Sequence, residues 1–248
     1  MFTILPIKGY IDQIDGFFCD GIHAGLKPNG NNDLGFIYTK EACTVAAIFT
    51  ENRFQAAPLK HFLAYEEGFK TNFVLINSKN ANALTGRKGI EDINTLFSKL
   101  NFDLINPVMS STGVIGNRLP IEKLVTGALK FDLTAKSGEN LSRAIMTTDA
   151  YPKTCLYEVK LEDGSSFKIG AVAKGAGMIN PNLATMLCFI CTDADVPYKD
   201  IKEALNKNKE TTFNAISVDG DTSTNDTVMV LANGKSNAYN KDAFCEAL

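Results

Sequence analysis

Lys174-Gly175-Ala176-Gly177-Met178-Ile179-Asn180-Pro181-Asn182-Leu183-Ala184-Thr185-Met186-Leu187 is the stretch on which the reading of this chain turns. Its glycines, lysine and proline make a tight polar loop, and an apolar run then begins abruptly and continues to Thr192. A run of that length predicts a buried strand, here Leu183 to Thr192. Thr185 stands at the junction of loop and strand. A β-branched residue suits a strand without any chemistry. A hydroxyl there is also well placed as a nucleophile, because the strand fixes its geometry and the loop gives access.

On either side of this stretch, strands and helices alternate. Phe73-Val74-Leu75-Ile76 predicts a short buried strand, and Ile90, Ile93, Leu96, Phe97 and Leu100 recur at helical spacing, which predicts an amphipathic helix over 90–100. Pro107 to Ser111 reads as a strand entering the Thr112-Gly113 turn. Pro120 opens a helix through about Leu133. Cys155, Tyr157, Val159 and Leu161 alternate with polar residues, and Asp163-Gly164 turns that strand back into Phe167-Lys168-Ile169 as a hairpin. Pro197 opens a helix whose Tyr198, Ile201 and Leu205 share a face, and Thr227 to Leu231 is a further strand. Hairpins mixed with helices predict an α+β fold, a layered α/β sandwich with mixed sheets, not a purely parallel one. Lys241 to Leu248 reads as the first turns of an amphipathic helix with no cap after it. The chain is therefore expected to be a fragment. On that expectation the strands 183–192 and 227–231 should expose apolar side chains or unpaired edges.

Composition narrows the function classes. A net charge of -3 with no basic run argues against a nucleic-acid surface. The apolar stretches are strand-sized, so none is expected to span a bilayer. Near the N-terminus Asp12 and Asp15 follow Lys8 with no long apolar core, which does not read as a targeting segment, so a cytoplasmic enzyme is expected. The six cysteines do not cluster. Cys188-Phe189-Ile190-Cys191 has no second pair of ligands at metal spacing and lies in an apolar run, where a thiol acts as a small hydrophobe. No metal is expected. Gly175-Ala176-Gly177 lacks the order of a phosphate loop, and Asp219-Gly220-Asp221-Thr222-Ser223 lacks the glycine and glutamate of a calcium loop, leaving a polar turn held by aspartates. His23 and His61 form no triad and are expected to be surface or core histidines.

Several segments occur in an order that carries more information than any one motif. They are Phe49-Thr50-Glu51-Asn52-Arg53, Asn77-Ser78 with Asn80-Ala81-Asn82, Ser110-Ser111-Thr112-Gly113-Val114-Ile115-Gly116, Met146-Thr147-Thr148-Asp149-Ala150-Tyr151-Pro152-Lys153, the opening stretch with Thr192-Asp193-Ala194, and Ser217 to Thr227. Together they resemble the glutamate N-acetyltransferase family, the self-cleaving ornithine acetyltransferases of arginine biosynthesis, from about Gly16 onward. The resemblance implies the N-terminal-nucleophile-like fold of that family. It implies cleavage of the Ala184–Thr185 bond, dividing the chain into an α-chain region, 1–184, and the first part of a β-chain region, 185–248. Thr185 would then be the catalytic nucleophile and would carry its own general base, the freed α-amino group with a pKa of about 7.7–8.0. Thr112 and Gly113 would bind the oxyanion, and Thr148, Lys174 and Thr185 would contact substrate. N2-acetylornithine and glutamate are the implied substrates, with no cofactor, acetyl-CoA as a candidate co-substrate, and two α and two β chains in the assembly. Lys79 stands where the family often has glycine and Leu84 where a cysteine is common, so both bear on packing near that loop. Two alternatives stay open: an amidase or aminopeptidase of related fold with water as acceptor, and an inactive fragment.

Overall fold

The computed structural model describes residues 1–178 and 186–248. In chain order its strands are β1 (Phe2–Pro6), β2 (Phe18–Ile22), β3 (Leu34–Phe49), β4 (Lys70–Asn77), β5 (Val108–Ser111), β6 (Lys153–Leu161), β7 (Ser166–Lys174), β8 (Leu187–Thr192) and β9 (Thr227–Ala232). The helices are α1 (Ala57–Leu63), α2 (Gly86–Ser98), α3 (Ile121–Ala128), α4 (Gly138–Ala144), α5 (Tyr198–Asn208) and α6 (Lys241–Ala247). Among the described residues the strands pair in the order β1-β6-β7-β8-β9-β3-β4-β5, with β2 added to β3. The pairs β4–β5 and β8–β9 are parallel and the others antiparallel, so the sheet is mixed.

The long strand β3 makes one sheet into two layers. Its first part pairs with β2 and β4, its register against β4 shifts between Tyr38 and Cys43, and its second part, Thr44–Phe49, pairs with β9. A register shift bends a strand and increases its twist. Here the sheet doubles back, and the inner faces of the two halves meet. Ile37, Val74, Ile76 and Val108 from one half share a core with Val172, Phe189, Met229 and Leu231 from the other. Helices cover both outer faces. Phe36, Phe73 and Leu75 pack beneath Ile93 and Leu96 of α2 and Leu124 of α3, whereas Cys188, Ile190, Val228 and Val230 pack beneath Ile201 and Leu205 of α5 and Phe244 of α6. Each such large side chain contributes about 1.5–3 kcal/mol on burial. The result is a four-layer α/β/β/α sandwich, the layered α+β architecture that the alternation of elements predicts.

Two expectations change. The strands at 187–192 and 227–231 expose neither face nor edge. All six residues of β8 and of β9 are buried, β8 is paired by β7 and β9, and β9 by β8 and β3. They are interior strands covered on both faces, which is why they read as unbroken apolar runs. Residues 183–185 of the expected strand lie outside the described residues. The helix expected to reach Leu133 ends at Ala128, because Phe131 turns inward to within 4.6 Å of the Phe36 ring and the Asp132 side chain holds the next turn through the Thr134 N–H. In β6 the expected alternation is present, with Tyr157, Val159 and Leu161 packed together on the outer core and Cys155 exposed, while Leu156 on the opposite face enters the inner core.

Candidate active site

Strand ends build the site. Because β3 doubles back, the C-terminal ends of β4, β5 and β7 and the N-terminal ends of β8 and β9 come to the same end of the sandwich. Asn225, just before β9, spans the two halves: its Nδ2 donates to Ser111 O at 2.9 Å and Ala81 O at 2.7 Å. At this end lies a cavity of about 920 Å³, lined by Thr112, Gly113, Thr148, Lys174 and Asn225 among others. The structure therefore brings together four of the sequence-predicted site residues from three separate segments. Ala184 and Thr185 lie outside the described residues. Met186, which follows Thr185 in the chain, leads into β8 at this end.

Lys174 is the last residue of β7, not part of the loop, and it is 3% exposed. A solvated loop lysine is thereby excluded. Its Nζ donates to Thr147 Oγ1 at 2.8 Å and Thr112 Oγ1 at 3.3 Å, with Asp149 Oδ2 at 3.9 Å. Burial lowers its pKa, and Asp149 and Asp226 oppose the shift. Asp149 is the hub of this corner. Its Oδ1 accepts from Lys153 Nζ at 2.8 Å and the Gly175 N–H at 2.6 Å, and its Oδ2 from the Thr147 N–H at 3.2 Å. Burial alone would raise this carboxyl, but Lys153, the two N–H donors and Lys174 outweigh it and hold it below the usual carboxylate range.

Thr112 and Gly113 divide their roles by geometry. The Thr112 N–H is already given to Asn77 O at 3.0 Å, so the donor it offers to the cavity is its hydroxyl. Since that oxygen accepts from Lys174, the hydroxyl hydrogen is free to turn elsewhere. Gly113 has φ +134, and a Cβ there would stand 2.2 Å from the Lys79 carbonyl carbon, so this close approach needs glycine. Lys79 itself has φ +76, in the left-handed region. The position at which the resemblance expects glycine thus has a backbone that favours it.

Three site features were not singled out from the sequence: Asp149, the Ser223-Thr224-Asn225 wall and Asp226. All lie inside segments the sequence analysis quotes. The signal was a carboxylate or amide beside the threonines, and nothing local distinguishes it from turn chemistry. The polar turn itself is present, with Asp219 accepting the Met178 N–H at 2.7 Å and the Asp221 N–H at 3.4 Å. Asp226 lies beneath the cavity, 1% exposed. Its Oδ1 accepts the Met186 N–H at 3.0 Å, and its Oδ2 has no hydrogen-bond partner among the described residues. Burial pushes its pKa up to about 8, against Ser223, the Met186 N–H and Lys174.

Neither histidine lines the cavity. His61 packs on α1 against Tyr65 and Phe97, and His23 meets Asn31 O. All six cysteines are free thiols, with Cys188 and Cys191 buried in β8 and the Cys188 thiol pushed up to about 12 by burial.

Comparison with known proteins adds independent weight. The sequence pattern of the ArgJ family matches residues 18–248. The arginine biosynthesis bifunctional protein ArgJ of Wolinella succinogenes is 55% identical over the whole of this chain and 63% of its own length. The protein of the same name from Oceanobacillus iheyensis is 41% identical over 92% of this chain and 57% of its own. The chain thus spans about three fifths of the length of these relatives. Among solved structures, ArgJ of Bacillus halodurans superposes with a TM-score of 0.67 at 32% identity, covering 75% of this chain and 100% of its own. The Mycobacterium tuberculosis ornithine acetyltransferase complexed with ornithine gives 0.60 at 27% identity with the same coverage. With a family pattern running through nearly all of its length and relatives that match 92% or more of it, the chain belongs to the ArgJ family.

Proposed function

We propose that the whole protein is a glutamate N-acetyltransferase of arginine biosynthesis, moving the acetyl group of N2-acetylornithine to glutamate through an acetyl-Thr185 ester. The observation that carries this is the convergence of Thr112, Gly113, Thr148 and Lys174 on one cavity at the end where Met186 enters β8. The lining favours a carboxylate-bearing ligand, with Lys27, Lys79, Arg143 and Lys174 against Asp149 as its charged members.

The chemistry begins with the chain itself. The Thr185 hydroxyl attacks the Ala184 carbonyl carbon, the C–N bond breaks, the nitrogen takes a proton, and water hydrolyses the resulting ester. Thr185 then has a free amine that takes the proton of its own hydroxyl as that oxygen attacks the acetyl carbonyl of N2-acetylornithine. The Thr112 hydroxyl and the Gly113 N–H stabilise the oxyanion. Ornithine leaves with a proton on its amine, and the glutamate amine attacks the ester and regenerates Thr185. No resident cofactor takes part, and acetyl-CoA is a second donor to be tried in the same assay. The α region, 1–184, and the β region from 185 would remain associated, two of each in the assembly, in the cytoplasm.

The test uses Thr185→Ala in a version carried on to the length of the relatives. It should abolish both the cut, seen by intact mass, and acetyl transfer, whereas Thr185→Ser should retain part of each. Normal cutting in Thr185→Ala would remove the assignment. Acetylornithine consumed at the same rate with and without glutamate would favour an amidase.

A further inference from the structure

We propose that Lys79 sets the preference between the two substrates, receiving the side-chain carboxylate of glutamate and disfavouring the side-chain ammonium of acetylornithine, an inference that rests on the function proposed above. In a ping-pong reaction one cavity takes both molecules in turn. The two share an α-carboxylate and differ at the far end, where one is negative and the other positive. One cation serves what they share. A second, free cation on the same wall would meet what distinguishes them.

Lys27, Lys79, Arg143 and Lys174 are the cations that line the cavity among the described residues. Lys174 is buried and turned to Thr112 and Thr147. The Lys27 amine is taken up by Asn32 O at 2.6 Å and Ala144 O at 3.5 Å, and Arg143 pairs with Glu139 at 2.8 Å. Lys79 differs from all three. It is exposed, and its amine has no hydrogen-bond or ion-pair partner among the described residues. Its charge still reaches the others: burial lowers the Lys27 pKa, Asp33 and Asp149 oppose the shift, and Lys174 and Lys79 add to it as like charges. The backbone tells the same story. Lys79 follows β4 at φ +76, pinned there because its carbonyl accepts the Val114 N–H at 3.0 Å and Asn80 bridges Thr112 and Val114. A lysine in the left-handed region costs stability, and strain of that kind gathers at functional sites. Glycine would fit this turn without strain. What it would lack is the amine, presented to the cavity beside the Thr112-Gly113 corner.

Three variants separate charge from backbone, in the version carried to the relatives' length. Lys79→Met keeps the stem and the strain but removes the charge, Lys79→Gly removes both charge and strain, and Lys79→Arg keeps the charge. For each, kcat/KM is measured separately for acetylornithine and for glutamate. A disturbed oxyanion corner would lower both values alike, so the ratio between them is what the charge moves. In Lys79→Met and Lys79→Gly that ratio should shift at least about fivefold toward acetylornithine, and in Lys79→Arg it should stay within about threefold of wild type. Ornithine should inhibit the two uncharged variants more strongly than wild type. Added salt should erode the wild-type preference and leave that of Lys79→Met nearly unmoved. A ratio unmoved in Lys79→Met, while wild type transfers acetyl normally, would overturn the inference alone. A ratio moved in Lys79→Gly but not in Lys79→Met would also overturn it and assign the effect to the backbone. A wild type that transfers no acetyl from acetylornithine to glutamate would instead overturn the proposed function, and the inference with it.

Discussion

At the scale of single residues, the site is made by burying charge beside hydroxyls. Lys174 shows how sequence can mislead: next to two glycines it reads as a loop side chain, yet the ladder from β8 reaches it through the Lys174–Leu187 pair and turns it inward. Replacing Lys174 with Ala should raise KM for the carboxylate substrate more than it lowers kcat, read from initial rates. Lys79 carries a left-handed backbone with a side chain that resists it. Lys79→Gly should therefore stabilise the protein by about 0.5–1 kcal/mol in a thermal or urea melt. Asp226 predicts a pH dependence of stability. Its folded pKa is raised to about 8, so between the unfolded value near 3.9 and that point the folded state holds a proton that the unfolded chain has lost. Its contribution is thus fully present below about pH 4 and falls as pH rises through that window, by a few kcal/mol at most. Asp226→Asn should flatten this slope, and a melt series from pH 5 to 8 checks it. The threonines and the lysine were legible because ordered motifs carry them. Asp149 and Asp226 were not, because what distinguishes them is the donors each meets from distant strands.

At the scale of elements, the legible ones were those with a pure period or a sharp turn: β4, β8 and β9 as apolar runs, α2 and α5 by their stripes, and the β6–β7 hairpin by Asp163-Gly164. What stayed illegible was β3. Its Lys40-Glu41 lies within the register shift, and its two parts turn different faces to different partners, so no single alternation runs through it. The short helices α1 and α4 also lack a full stripe; they owe their helicity to packing. The Thr112-Gly113 corner belongs to this scale because its shape depends on Lys79 and Asn80 lying against it. Gly113→Ala should force that contact apart, lowering stability by about 2 kcal/mol or more and reducing transfer at least about tenfold. A melt and a rate measurement on the same preparation would show whether both fall together.

For the whole molecule, the decisive feature is where the proposed cut falls. The two strands flanking it, β7 and β8, are neighbours in the sheet, paired through six positions from Ile169–Thr192 to Lys174–Leu187. Both faces of β8 are covered, so cleavage would divide the backbone without opening the core. The two pieces should co-elute under native conditions and separate only in denaturant, a comparison of native and denaturing chromatography. The same arrangement also sets a clock. β8 begins at Leu187, soon after β7 ends at Lys174, but its other neighbour, β9, ends at Ala232, and the carboxyl that holds Met186 belongs to residue 226. While a ribosome is still making the stretch after β8, the nascent strand has one flank and no anchor. The proposed self-cutting would therefore wait on translation, and a nascent chain stalled before residue 226 should remain whole on the ribosome however long it waits.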